Sequence, residues 1–191
     1  MKKLLLSTCL LPLFFGSCQP KLKEVDRTVL AEEYIQALNE FDYPSIISLF
    51  YDSVRMKEIV YQTTFSKADY YNLFQWDSIF QPEYKVLQIQ ELPGEKIELQ
   101  ISKLGPRINF LMDNPIITKE VLSFEKGKIY EVEIIEYLYF DDETWVARRQ
   151  ALTEWVAANH PELDGFIYDQ TKVGALNYLR AIELYKAANN Q

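Results

Sequence analysis

Two carboxylates occupy positions where acid–base chemistry could be built. Glu136 falls in the alternating row Tyr130, Val132, Ile134, Leu138, Phe140. A carboxyl held among apolar neighbours loses hydration, which raises its pKa toward the range of a working general acid or base. The competing arrangement is a β-bulge just before Glu136. It would turn the carboxylate to water and bring Ile135, Tyr137 and Tyr139 inward. Alternation leaves both arrangements open, and the cost of a lone buried charge weighs against the buried acid. Asp77, beside Trp76, is a second candidate base if its helix turns it inward; a solvated position or a hydrogen bond to a nearby turn is its plainer role. Tyr34, Trp76, Phe80, Phe110 and Met112 are candidates, with Glu136, to line a small apolar ligand site. Core packing is the plainer role for each.

Other chemistries find little support. His160 is the single histidine and precedes Pro161, so it reads as a helix C-terminal cap facing the helix dipole. With two cysteines, Cys9 and Cys18, both near the N-terminus, no zinc or copper set is expected and no metal or other cofactor is called for. No Gly-rich phosphate loop or G-x-S-x-G elbow occurs. Asp141-Asp142-Glu143 lacks calcium-loop spacing and suits a helix start. The formal charge of −8 argues against nucleic acid as a partner.

The elements that must position these residues follow from periodicity. Leu30, Tyr34, Ala37, Leu38 and Phe41 stripe a first helix over Asp26 to Phe41. A short second helix, SIISLFYD, begins after Pro44. Ser53 to Thr64 settles on no period and is an extended hairpin or a loop. Ser66-Lys67-Ala68-Asp69 resembles a capping box and opens a third helix through Phe80. Two strands follow, YKVLQIQEL and EKIELQISKL, divided by Pro93-Gly94. The alternation of Ile97, Leu99 and Ile101 with polar residues predicts an antiparallel sheet with one wet face. Gly105 to Asn114 reads as a loop. Ile117 to Phe140 is a long hairpin turning at Lys126-Gly127, where glycine supplies the positive φ. Two helices close the chain, Trp145 to Asn159 and Val173 to Asn189.

The N-terminus is set apart. Lys2 and Lys3, an apolar run from Leu4 to Phe15, and Gly16-Ser17-Cys18 have the order of a signal peptide. The apolar run is too short to span a bilayer, which needs roughly 20 residues. Small residues before a cysteine resemble the lipobox of bacterial lipoproteins, with Phe15 where leucine is usual. That resemblance implies lipidation of Cys18, loss of residues 1–17, and a lipid bilayer as partner. Residues 18–24 would then be a tether. Gln19 after the cysteine gives no reason for inner-membrane retention. The expected location is therefore a bacterial cell envelope, lipid-anchored, at the outer membrane.

Three stretches carry a resemblance to a family of folds: AEEYIQALNEFDYPSIISLFYDSV, FQWDSIF and SFEKGKIYEVEIIEY. Together they resemble the NTF2-like superfamily in its SnoaL-like branch. The resemblance implies an α+β, cone-shaped fold with N-terminal helices packed on a strongly bent antiparallel sheet. It covers residues 25–140, and residues 141–191 would form a C-terminal helical extension able to pack on the domain or plug the cone. Enzymes of the family place acids, bases or aromatics inside the cone, so the resemblance points to concave residues without mapping a catalytic one. Three readings follow. The favoured one is a membrane-anchored binding or accessory module for a small apolar ligand or partner protein. A second is a cofactor-independent isomerase, dehydratase or hydrolase using a cone-lining carboxylate. A third is a structural lipoprotein that forms a homodimer and has no open pocket.

Overall fold

The computed structural model describes residues 26–189; the leader, Cys18 and the tether lie outside them. Asp26 caps the first helix, α1 (Arg27–Asn39), by accepting from the backbone N–H groups of Thr28 and Val29. Helix α2 (Tyr43–Leu49) starts at Asp42 with Pro44 in its first turn. The chain then becomes extended at Phe50, three residues earlier than the sequence pattern suggests. Strands β1 (Phe50–Glu58) and β2 (Tyr61–Ser66) form a hairpin, which settles the ambiguous segment as strand. Ser66 caps α3 (Lys67–Ile79) by accepting from Asp69 N–H at 3.1 Å, the capping box read from the sequence.

The chain continues through β3 (Glu83–Leu92), β4 (Lys96–Leu104), a short helix α4 (Pro106–Met112), β5 (Ile116–Glu125) and β6 (Lys128–Tyr139). Helix α4 corrects the loop expected between Gly105 and Asn114. Pro106 sits in its first turn and Ile108, Phe110, Leu111 and Met112 are buried. Seven residues give too few turns for a helical period to be legible.

The sheet order is β2-β1-β6-β5-β4-β3. Four pairings are antiparallel, and β1 runs parallel to β6. Alternation along a strand reports its wet and dry faces but not the direction of its neighbour, so the parallel pair was invisible in the sequence. Helix α3 connects β2 at one edge to β3 at the other. The sheet curls, and its ladder slips at three places between β5 and β6 and once each in β1/β6 and β3/β4.

Ala31, Tyr34 and Ile35 of α1, Ile46 of α2 and Tyr70 of α3 pack into the concave side against Ile97, Leu99, Ile101 and Leu122. A second core lies beside the first. Helices α5 (Asp142–Asn159) and α6 (Lys172–Ala188) bury Leu152, Val156, Ala175, Tyr178 and Ile182 against Phe80, Phe110 and Leu111. These helices pack on the end of α3 and on α4, and they do not fill the cone.

Candidate functional site

Between α1, α3 and the concave face is a cavity of about 720 Å³. Its lining runs from the buried Tyr34 and Tyr70 out to Phe41 and Tyr61, which are exposed. Much of the wall is apolar, with Leu38, Met56, Phe65, Phe74, Val132 and Ile134. Polar side chains are interspersed, and Asp77, Lys103, Glu120 and Glu58 among them are held by neighbours.

Asp77 faces this cavity from α3. It accepts a hydrogen bond from Tyr84 Oη at 2.7 Å and pairs with Lys103 Nζ at 3.0 and 3.1 Å. Burial pushes its carboxyl up, but the Lys103 ammonium, the Tyr84 hydroxyl and the nearby Arg107 outweigh that and hold it below the usual carboxylate range. Asp77 is thus a fixed anion and a weak base. Burial beside that anion pushes the Tyr84 hydroxyl well up, so it serves as a donor.

Glu120, on β5, also lines the cavity. Its Oε1 accepts from Thr118 Oγ1 at 2.7 Å, with no ion-pair partner among the described residues. Burial raises its pKa against the opposing effects of Thr118 and Lys103. This is the carboxyl with the environment that the sequence suggested for Glu136. On β6, Tyr137 lines the cavity and donates to Glu58 of β1.

Glu136 itself lies outside. The ladder pairs Glu120 with Ile134 but Lys119 with Glu136, so Ile135 is an extra residue and the register flips there. The Glu136 side chain is 54% exposed and pairs with Lys119 at 3.1 Å. A further slip between Thr118 and Ile117 passes over Leu138. The inward row is consequently Val132, Ile134, Tyr137 and Phe140, while Ile135 and Tyr139 stay exposed. Neither simple alternation nor a single bulge describes it. Of the ligand-site candidates, Tyr34 and Trp76 line the cavity with Asp77. Phe80 and Phe110 belong to the second core, and Met112 is buried without reaching the cavity lining. His160 ends α5 as read, with its ring 5.2 Å from that of Trp155 and Nδ1 3.2 Å from Glu162.

Sequence reasoning passed over Glu120 and Arg107. A signal existed for the first: Glu120, Leu122 and Phe124 alternate on one face, the same pattern that singled out Glu136. Arg107 was hidden in the stretch taken for a loop.

The two cavity carboxyls should move stability in opposite directions with pH. Asp77 has a folded pKa below its unfolded value, so its contribution is complete above about pH 4 and is lost as pH falls through the folded pKa. Asp77→Asn should cost about 1–3 kcal/mol at pH 7, because Lys103 loses its partner in a largely buried setting. Glu120 has a raised folded pKa, so its ionisation destabilises the fold as pH rises past the unfolded value. Glu120→Gln should therefore stabilise the protein at pH 7 and above. Urea denaturation at pH 2.5, pH 4 and pH 8 reads both effects, and a Glu120→Gln protein less stable at pH 8 would refute the second.

No protein-family model matches the chain, and no curated protein matches it. Solved structures do. A Kribbella flavida protein, described as being of known function, aligns at 14% identity and TM-score 0.52 over 66% of this chain and 95% of its own. An NTF2-like protein of unknown function from Cytophaga hutchinsonii aligns at 17% identity and TM-score 0.48, over 63% of this chain and 95% of its own. A Methylobium petroleophilum protein with a cystatin-like fold aligns at 13% identity and TM-score 0.49, over 65% and 83%. The likeness is one of fold. The chain has an α+β architecture with a six-stranded curled sheet, and what it does must be argued from its own cavity.

Proposed function

We propose that this chain is an envelope lipoprotein, tethered through an acylated Cys18, whose NTF2-like cone is a binding module for a small apolar ligand. The observation that carries the binding half is the cavity: about 720 Å³, with an extensive apolar wall and interspersed polar groups, Asp77 and Lys103 among them held by neighbours. Ligand sites have this size and make-up. The same cavity tells against the reading as a structural lipoprotein without a pocket. The tether rests on the sequence Gly16-Ser17-Cys18 behind a short apolar run.

A second reading has its own support. Glu120 is a cavity carboxyl with a raised pKa, the property wanted in a general base near neutrality. A cofactor-independent isomerase, dehydratase or hydrolase would use it in place of Glu136 or Asp77.

The test begins with full-length protein expressed in a bacterial host. Cys18→Ser should abolish incorporation of labelled palmitate and move the protein to the soluble fraction. The protein should bind one equivalent of neutral N-phenylnaphthylamine saturably, with energy transfer from the tryptophans. Absence of saturable binding would sink the ligand reading, and unchanged palmitate labelling in Cys18→Ser would sink the tether. Turnover of a compound extracted with the protein, abolished by Glu120→Gln with binding retained, would favour the enzyme.

A further inference from the structure

Arg107 lines the cavity from the first turn of α4. Its guanidinium carbon is 4.9 Å from the ring centre of Trp76, 5.0 Å from Phe80, 5.5 Å from Trp145 and 5.9 Å from Tyr178. Four aromatic rings around one cation favour the charge through their faces but offer no carboxylate. Among the described residues no Asp or Glu lies within ion-pair distance of it, and its buried Nε has no hydrogen-bond partner. The nearby carboxylate, Asp77, is already committed to Lys103 and Tyr84.

Around the whole cavity Lys57, Lys103 and Arg107 stand with Glu58, Asp77 and Glu120, so the lining is formally balanced. Within that balance Asp77 holds Lys103, and Arg107 is left without a carboxylate of its own among the described residues. Guanidinium stays protonated in proteins and presents a planar fork that matches a carboxylate. An N–H left buried and unpartnered is costly, and a bound anion would relieve it.

The rest of the wall says what the anion is attached to. From Lys103 on β4, the lining passes Glu120 and Thr118 on β5 and Val132 and Ile134 on β6 to Met56 on β1 and Phe65 on β2. Three strand spacings separate β4 from β1, about 14 Å along the sheet. Beyond Glu120 the wall is apolar at Val132, Ile134, Met56 and Phe65, and it turns polar at the tip of the hairpin with Lys57, Glu58, Gln62 and Thr63 beside the exposed Tyr61.

We propose that the ligand is an amphipathic organic acid, its carboxylate paired with Arg107 and its apolar body extending along β6 toward the β1–β2 hairpin. The inference rests on the cavity being a ligand site and adds the ligand's charge and orientation. The Trp76 and Trp145 rings beside Arg107 provide a reporter in a fluorescence titration with dodecanoate, dodecanol and inorganic phosphate. Dodecanoate should bind at least about tenfold tighter than dodecanol, the ratio that one charge-assisted hydrogen bond supplies, and phosphate should not compete. R107Q should lower dodecanoate affinity about tenfold or more while leaving dodecanol within about threefold, and R107K should fall between. Equal affinity for acid and alcohol in the wild type, or an unchanged acid-to-alcohol ratio in R107Q, overturns the proposal while leaving the cavity a ligand site. Binding of neither overturns both. Should R107Q fail to fold by circular dichroism, R107K and the wild-type ratio decide.

Discussion

Phe80→Ala should unfold the protein at a temperature roughly 8–15 °C lower than wild type, for a loss of about 3–5 kcal/mol. Phe80 caps the C-terminal end of α3 and is 3% exposed. Its ring meets Trp76 edge-on at 4.9 Å and Tyr178 of α6 at 5.7 Å, and the Arg107 guanidinium lies 5.0 Å from it. It therefore joins the helix that lines the cavity to the second core. Truncation would leave a void between two cores held by aromatic contacts, where collapse is hindered because Trp76 and Tyr178 are each fixed by other neighbours. Arg107 would lose one ring of its surround, so the apolar acid should bind less tightly as well. Urea denaturation followed by far-UV circular dichroism measures the loss, with Ile135→Ala on the exposed face as a control expected within about 0.5 kcal/mol. A loss below 1 kcal/mol at Phe80 would mean the two cores are not coupled through it.

What the sequence made legible, and what it hid, follows from the range of each signal. Local signals were enough for the capping box at Ser66, the turn at Gly127 (φ 72°) and the inward row Ile97, Leu99 and Ile101, all of which the structure carries. Each depends on residues within four positions of one another. Glu136 and Glu120 show where that fails. Both stand in alternating rows, and the slip at Ile135 decides between them by turning one out and leaving the other in. A bulge is set by how β6 registers against both of its neighbours, β5 and β1, and nothing near Glu136 announces it. Asp77 is a milder case: its inward direction matched the sequence candidate, but its role as a paired anion required Lys103 and Tyr84, 26 and 7 residues away. Arg107 was hidden because α4 is too short to show a period, and its aromatic surround comes from α3, α5 and α6.

Gly174→Ala should be the most damaging single-methyl change, costing about 3 kcal/mol, the upper end for overpacking. A Cβ on Gly174 would sit 2.0 Å from the backbone oxygen of Asp169 and 2.5 Å from its carboxyl carbon. No rotamer relieves a clash with backbone, so either the start of α6 or the segment before it must move. That segment is tied down twice: Asp169 Oδ1 accepts from Thr171 N–H at 2.9 Å, and Thr171 caps α6 by accepting from Gly174 N–H at 3.3 Å. Between them lies Gln170, which lines the cavity. The strain should therefore reach function: Gly174→Ala is expected to weaken apolar-probe binding as well as stability, whereas Val173→Ala, exposed on the same helix, should change neither appreciably. Thermal denaturation and probe titration on the same samples separate the outcomes. Lost stability with unchanged binding would mean that α6 supports the second core without shaping the cavity wall. A neutral result in both assays would mean that the segment before α6 yields more easily than these two hydrogen bonds imply.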